Sequence, residues 1–240
     1  MLLHGALSDS RSWHQQISKF SGEFSVLAWD APGCGKSSDP PDTFRLADYA
    51  DCLAALIKGT VLERPHVIGL SFGGGLALEF YRRYPDIPRS LILVSAYAGW
   101  AGSLPEDELE KRIRNVTHHL DLPPKQVVEQ WLPTLFSDSV PARIKDETAS
   151  IMSEFHPAGI KVMLNAFARA DLRNMLPEIE VPTLLIYGDA DQRSPVSVAR
   201  ELEAGIPNSE LVVFKGIGHV VPAEAPDQFN AEVLRFLKSA

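Results

Sequence analysis

Three residues in this chain could together carry out acyl transfer. Ser71 lies in Gly69-Leu70-Ser71-Phe72-Gly73, an aspartate pair in Gly188-Asp189-Ala190-Asp191, and His219 in Gly216-Ile217-Gly218-His219. A serine hydroxyl is a weak nucleophile until a neighbouring base takes its proton, and an imidazole does this best when a carboxylate fixes its tautomer. Each residue alone has an ordinary structural use: a glycine-rich turn, an aspartate cap, a loop histidine. The three together, at the ends of three separate apolar runs, point to a nucleophile, an acid and a base.

The runs that must position them are short and rich in Val, Ile and Leu. They are Phe24–Trp29, His66–Leu70, Ser90–Ser95, Thr183–Tyr187 and Glu210–Phe214. Their composition predicts strands buried on both faces. Helical stretches alternate with them: Ser10–Phe20, Leu46–Lys58, Phe72–Tyr84, Ser197–Ala204 and Asp227–Ser239. Alternation of this kind predicts an α/β fold with a mostly parallel, doubly wound sheet, in which ligands lie beyond the carboxyl ends of the strands. Ser71, both aspartates and His219 all follow such ends. Between residues 99 and 176 the alternation stops. That stretch reads as about four helices separated by prolines, a helical insertion in a core of residues 1–98 and 177–240.

The strand-to-helix turn at Ser71 leaves room only for glycine at its flanks, and it aims the Phe72 amide and the helix N-terminus at the hydroxyl. Leu2-Leu3-His4-Gly5-Ala6 reads as a strand end opening into a loop. The N–H of Ala6 is then a second donor, beside Phe72, for an oxyanion. His4 reads as a structural member of that loop.

The bulk composition excludes several classes. The chain has 240 residues, 45% hydrophobic and 22% charged, with a formal net charge of −8. An acidic surface disfavours nucleic acid and anionic membranes as partners. No apolar run reaches the roughly 20 residues of a membrane span, and the start lacks a secretory pattern. Cys34 and Cys52 read as free thiols, so the expected setting is the cytoplasm. The sequon at Asn115 reads as chance. Gly33-Cys34-Gly35-Lys36-Ser37 superficially resembles a nucleotide-binding loop, but that loop needs glycine at position 30, where Asp30 stands. His118 and His119 are adjacent on a helix and point about 100° apart, a poor arrangement for one metal. No metal and no organic cofactor are expected.

With these residues in view, the chain resembles the α/β-hydrolase superfamily, in its lidded branch of small esterases, enol-lactonases, carbon–carbon bond hydrolases and cofactor-free haloperoxidases. The resemblance extends to Asp30-Ala31-Pro32-Gly33-Cys34-Gly35-Lys36-Ser37, which matches the family's D-x-x-G-x-G-x-S turn. It implies that the acid is the fourth residue of G-x-x-D, Asp191, and that residues 99–176 form a cap over the site. Trp100, Trp131, Phe136, Phe155 and Met163 are the implied pocket residues of that cap. The chain starts inside the His4-Gly5 strand, where family members carry two further strands. A longer version is accordingly expected to be more stable. The implied activity is hydrolysis of a small carboxylic ester or lactone through a Ser71 acyl-enzyme. Carbon–carbon bond hydrolysis, acyl transfer to an alcohol, and a slow-turnover ligand receptor on the same fold remain open, as does self-association into a homo-oligomer. An aspartate nucleophile, as in dehalogenases and epoxide hydrolases, is excluded by Ser71.

Overall fold

The computed structural model describes all 240 residues. Its centre is one parallel sheet of five strands in the order β1-β2-β3-β4-β5. They are β1 (Leu2–Leu3), β2 (His66–Leu70), β3 (Ser90–Val94), β4 (Thr183–Gly188) and β5 (Ser209–Phe214). Four of the five expected strands form within a residue of their anticipated bounds. The fifth, Phe24–Trp29, does not become a strand. It runs along the outer side of β1 and makes a single bridge, Leu2 opposite Ala28. The reason is local: β1 supplies only two residues to pair with, and most of the segment stays half-exposed.

Side chains alternate across the sheet with the period-two geometry of strands. Val67, Leu91, Leu93, Leu185 and Tyr187 point to one face. That face is covered by α2 (Leu46–Lys58), α3 (Phe72–Arg83) and α8 (Val196–Gly205). Ile68, Leu70, Ile92, Val94, Leu184 and Ile186 point to the other. There, α1 (His14–Phe20, continuing a 3₁₀ turn at Ser10–Trp13) and α10 (Pro226–Leu237) complete the layer. Helix α2 shows how sequence sets this packing, since Leu46, Tyr49, Ala50, Leu53, Ala54 and Ile57 recur at three- and four-residue spacing and are all buried.

Between β3 and β4 the chain forms α4 (Glu106–Leu120), α5 (Pro124–Trp131), α6 (Ala142–Met152) and α7 (Pro157–Ala168), with no strand. Prolines open each of them: Pro105, Pro123 and Pro141 are the N-caps of α4, α5 and α6, and Pro157 is the first residue of α7. At those positions the missing N–H costs nothing. The two legs of the excursion are hydrogen-bonded to each other, Leu172 N to Ala98 O at 2.9 Å and Gly102 N to Ala170 O at 3.2 Å. The short helix α9 (Val221–Glu224) follows His219. No helix is long and apolar enough to cross a membrane.

The chain leaves β1 toward the Ala28 edge and returns through α2 to β2 on the other side. Strand order therefore reverses at β1, and a crevice opens above the carboxyl ends of β1 and β2.

Candidate active site

Ser71 occupies the turn from β2 to α3 with φ 54° and ψ −112°. A non-glycine residue in this region is strained and persists only when its surroundings hold it there. Its amide donates to Val94 O at 2.8 Å, and its carbonyl accepts Gly74 N at 3.0 Å. The two flanking glycines are required by close approach. A Cβ on Gly69 would lie 2.2 Å from Gly73 O, and one on Gly73 would lie 2.3 Å from Leu3 O. The turn thus lifts the Ser71 side chain above the sheet at the crevice mouth.

The His4 ring is buried and joins two segments, meeting Gly5 O through Nδ1 at 2.8 Å and accepting Ala31 N through Nε2 at 3.0 Å. Burial lowers its pKa, in keeping with a neutral structural ring. This fixes the loop carrying Ala6 beside Ser71. The amides of Ala6 and Phe72 donate to no protein acceptor, so two N–H groups beside Ser71 stay free for an incoming oxygen.

Asp191 follows β4 and is 5% exposed; His219 follows β5 and is 4% exposed. His219 Nδ1 bonds Asp191 Oδ2 at 2.8 Å. The other oxygen, Oδ1, accepts Arg193 N at 2.8 Å and Ser194 N at 2.9 Å. Burial alone would raise the Asp191 pKa, but His219 and the two amides outweigh it and hold the carboxyl below its ordinary value. Asp189 plays a different part. It is exposed, and its Oδ1 accepts Gly216 N at 2.5 Å, tying the β4 and β5 loops together. Geometry therefore selects Asp191. His219 Nε2 has no protein partner and, with Ser71, lines the same cavity of about 90 Å³.

Of the expected pocket residues, Trp100 and Trp131 line this cavity. Phe136, Phe155 and Met163 do not. Phe136 packs in a small cluster with Val140 and Ile144, while Phe155 and Met163 join the main core. On α7 the cavity is met by Leu164 and Phe167; Met163, one turn before Phe167 on the same side of the helix, is buried in the main core and does not reach the cavity. The sequence reading missed Arg112, Arg193, Tyr97 and Phe167, all of them cavity-lining. Arg193 was findable, standing two residues after Asp191. Arg112 was hidden in a charged helix that reads as solvent-facing.

The loop resembling a nucleotide cradle turns its amides inward. Asp30 Oδ1 accepts Ser10 N and Oδ2 accepts Lys36 N, each at 2.9 Å. The protein's own carboxylate fills the place an anion would take. His119 Nδ1 accepts the Trp131 indole N–H at 3.2 Å, a packing role.

Residues 1–226 match the profile of the α/β-hydrolase fold family, and the chain belongs to that family. It is 25% identical over 255 residues to a 2-hydroxy-6-oxononadienedioate/2-hydroxy-6-oxononatrienedioate hydrolase of a Pseudomonas species, covering 99% of this chain and 87% of the relative. It is 28% identical to the AB hydrolase superfamily protein YisY of Bacillus subtilis, covering 100% and 91%. Among solved structures, a thermophilic esterase from Thermogutta terrifontis superposes with a TM-score of 0.90 at 27% identity, covering 99% of this chain and 88% of the esterase. The chain is thus an α/β hydrolase, with relatives named as hydrolases and esterases.

Proposed function

We propose that this α/β hydrolase cleaves a small carboxylic ester or lactone through an acyl-enzyme on Ser71. The observation that carries the reading is the buried Asp191–His219 pair, which shares a cavity with a strained serine and two unoccupied amides. His219 Nε2 takes the Ser71 proton as the hydroxyl oxygen attacks the carbonyl carbon. The amides of Ala6 and Phe72 receive the oxyanion. Asp191 stabilises the imidazolium, which returns the proton to the leaving alcohol. Water, activated by the same His219, then releases the acid. Each of these steps runs on protein groups alone. Residues 99–176 act as a cap that shapes the apolar wall and limits water, and the unpaired thiols Cys34 and Cys52 fit a cytoplasmic setting.

The test is labelling with a fluorophosphonate probe, read by intact mass and peptide mapping beside an aryl-ester assay. A single adduct on Ser71 with loss of turnover supports the proposal. A folded protein that takes no adduct overturns it. Carbon–carbon bond hydrolysis is the second reading, favoured by the likeness to the Pseudomonas hydrolase. Product analysis on a vinylogous diketone acid separates it from ester cleavage.

A further inference from the structure

One wall of the cavity carries two arginines that make no ion pair with a protein carboxylate. Arg112 of α4 and Arg193 of the loop after β4 both line it. Neither forms an ion pair: Arg112 donates to Tyr97 Oη at 3.2 Å and to Arg193 O at 2.7 Å, and Arg193 donates to Thr134 Oγ1 at 2.9 Å. The nearby carboxylates are otherwise engaged or turned away. Asp191 is saturated by His219 and two amides. Glu147 on the cavity wall pairs with Arg143 at 2.7 Å. Glu108, one helical turn before Arg112, is exposed and makes no ion pair with it.

The two guanidinium groups are also rigidly presented. Arg193 lies 4.2 Å from the Trp131 ring centroid. Arg112 lies 5.0 Å from that of Trp100 and 5.3 Å from that of Tyr97. The Tyr97 hydroxyl donates to Arg193 O at 2.5 Å, locking the same loop. Arg112 donates from both terminal nitrogens to protein acceptors and Arg193 donates from Nη1 to Thr134, which leaves the Nε–Nη2 edge of Arg193 without a protein acceptor, and that edge matches a carboxylate in two-point geometry. Burial, and then the neighbouring Arg112 charge, lower the Arg193 pKa to about 10, so it remains a cation at neutral pH. Two like charges held together in a partly desolvated wall are unfavourable until an anion joins them.

We propose that Arg112 and Arg193 form a carboxylate subsite, and that the ester or lactone cleaved at Ser71 carries a second, free carboxylate. The inference rests on the hydrolytic reading for the reaction, but not for the binding. Trp100 and Trp131 then serve chiefly as platforms for the two arginines.

The test compares monomethyl glutarate with its uncharged counterpart methyl hexanoate, following kcat/KM by methanol release. Glutarate binding to Ser71→Ala is measured in parallel by calorimetry. The wild type is expected to favour the charged ester by about tenfold or more, the size of one charged hydrogen bond. Arg193→Gln and Arg112→Gln bring that ratio toward one, whereas Arg193→Lys keeps part of it. Equal loss on both substrates, or no preference in the wild type, overturns the subsite while leaving ester hydrolysis intact. If neither ester is cleaved but glutarate binds Ser71→Ala and loses affinity when Arg193→Gln is added, the subsite stands and the hydrolytic reading fails.

Discussion

Glu224 accepts the amide of Gly218 at 3.0 Å, and Gly218 is the residue immediately before His219. The same carboxylate takes the Ser137 amide at 3.2 Å and the Ser137 hydroxyl. Leu135 O, two residues earlier, accepts His219 N at 2.9 Å. His219 is therefore fastened to the helical insertion as well as to its own loop. Glu224→Ala is expected to cost about 1–2 kcal/mol, a few degrees of Tm, because three donors lose a charged acceptor. Esterase kcat/KM should fall about tenfold as His219 drifts from its working geometry. Thermal melts and aryl-ester kinetics check this; a lowered Tm with unchanged kinetics reduces Glu224 to a structural tie.

Two glycines near Ser71 should respond in opposite ways to alanine. A Cβ on Gly73 meets the Leu3 and His4 carbonyls at 2.3 and 2.8 Å, and backbone cannot step aside cheaply. Gly73→Ala should destabilise by about 1–3 kcal/mol or more. At Gly5 the nearest atoms are 3.5 Å away, an ordinary contact, so Gly5→Ala should keep its stability. Urea unfolding of both proteins makes the comparison, and equal losses would contradict the account of the turn.

Acid should weaken the fold through two histidines, His4 buried and His66 half-buried. Desolvation lowers the His4 pKa, and desolvation, with Arg89 and the terminal amine, lowers that of His66 to about 4. The unfolded chain then binds protons that the folded one refuses. Stability is full above the ordinary value of 6.5 and is lost as pH falls from there toward about 4. Urea midpoints across that window should decline in the wild type and decline less in His66→Gln.

Ser71→Ala should remove ester turnover by several orders of magnitude while leaving the protein folded, since the members of such a set act as a unit. Asp191→Asn should also lose orders of magnitude, though fewer than Ser71→Ala, by leaving His219 in the wrong tautomer. Its effect on stability has the opposite pH sign from a group with a raised pKa. The depressed Asp191 pKa contributes stability above the ordinary value of 3.8, and that contribution disappears as pH falls below it. An Asp191→Asn protein with near-native turnover would exclude the assigned role.

The strand ends and their polar residues were legible because parallel strands buried on both faces read as apolar runs, and Ser71, Asp191 and His219 each follow one. Helix α2 was found to the residue because its buried positions keep strict helical spacing. The Phe24–Trp29 segment misled because its composition is that of a strand, while pairing depends on what a neighbour offers. The insertion was legible as helices but not as a surface. Met163 and Phe167 lie one turn apart on the same side of α7, and which of them meets the cavity depends on how far the cavity extends along that helix, a tertiary matter. The meeting of the two arginines was not legible, since Arg112 and Arg193 are far apart in sequence and only the folded chain brings them together.

That excursion divides the site between two stretches of chain. Ser71 and the Ala6 loop belong to the contiguous stretch ending at Val94, while Asp191 and His219 belong to the stretch starting at Thr183. Inside the sheet they meet along one seam, the ladder from Leu91 opposite Thr183 to Val94 opposite Ile186. Closing that seam means bringing together ends separated by the whole insertion, and distant pairings of this kind form slowly. During refolding, Ser71 and His219 are therefore strangers until that ladder closes, and on the proposed mechanism regained turnover is a clock for this docking step.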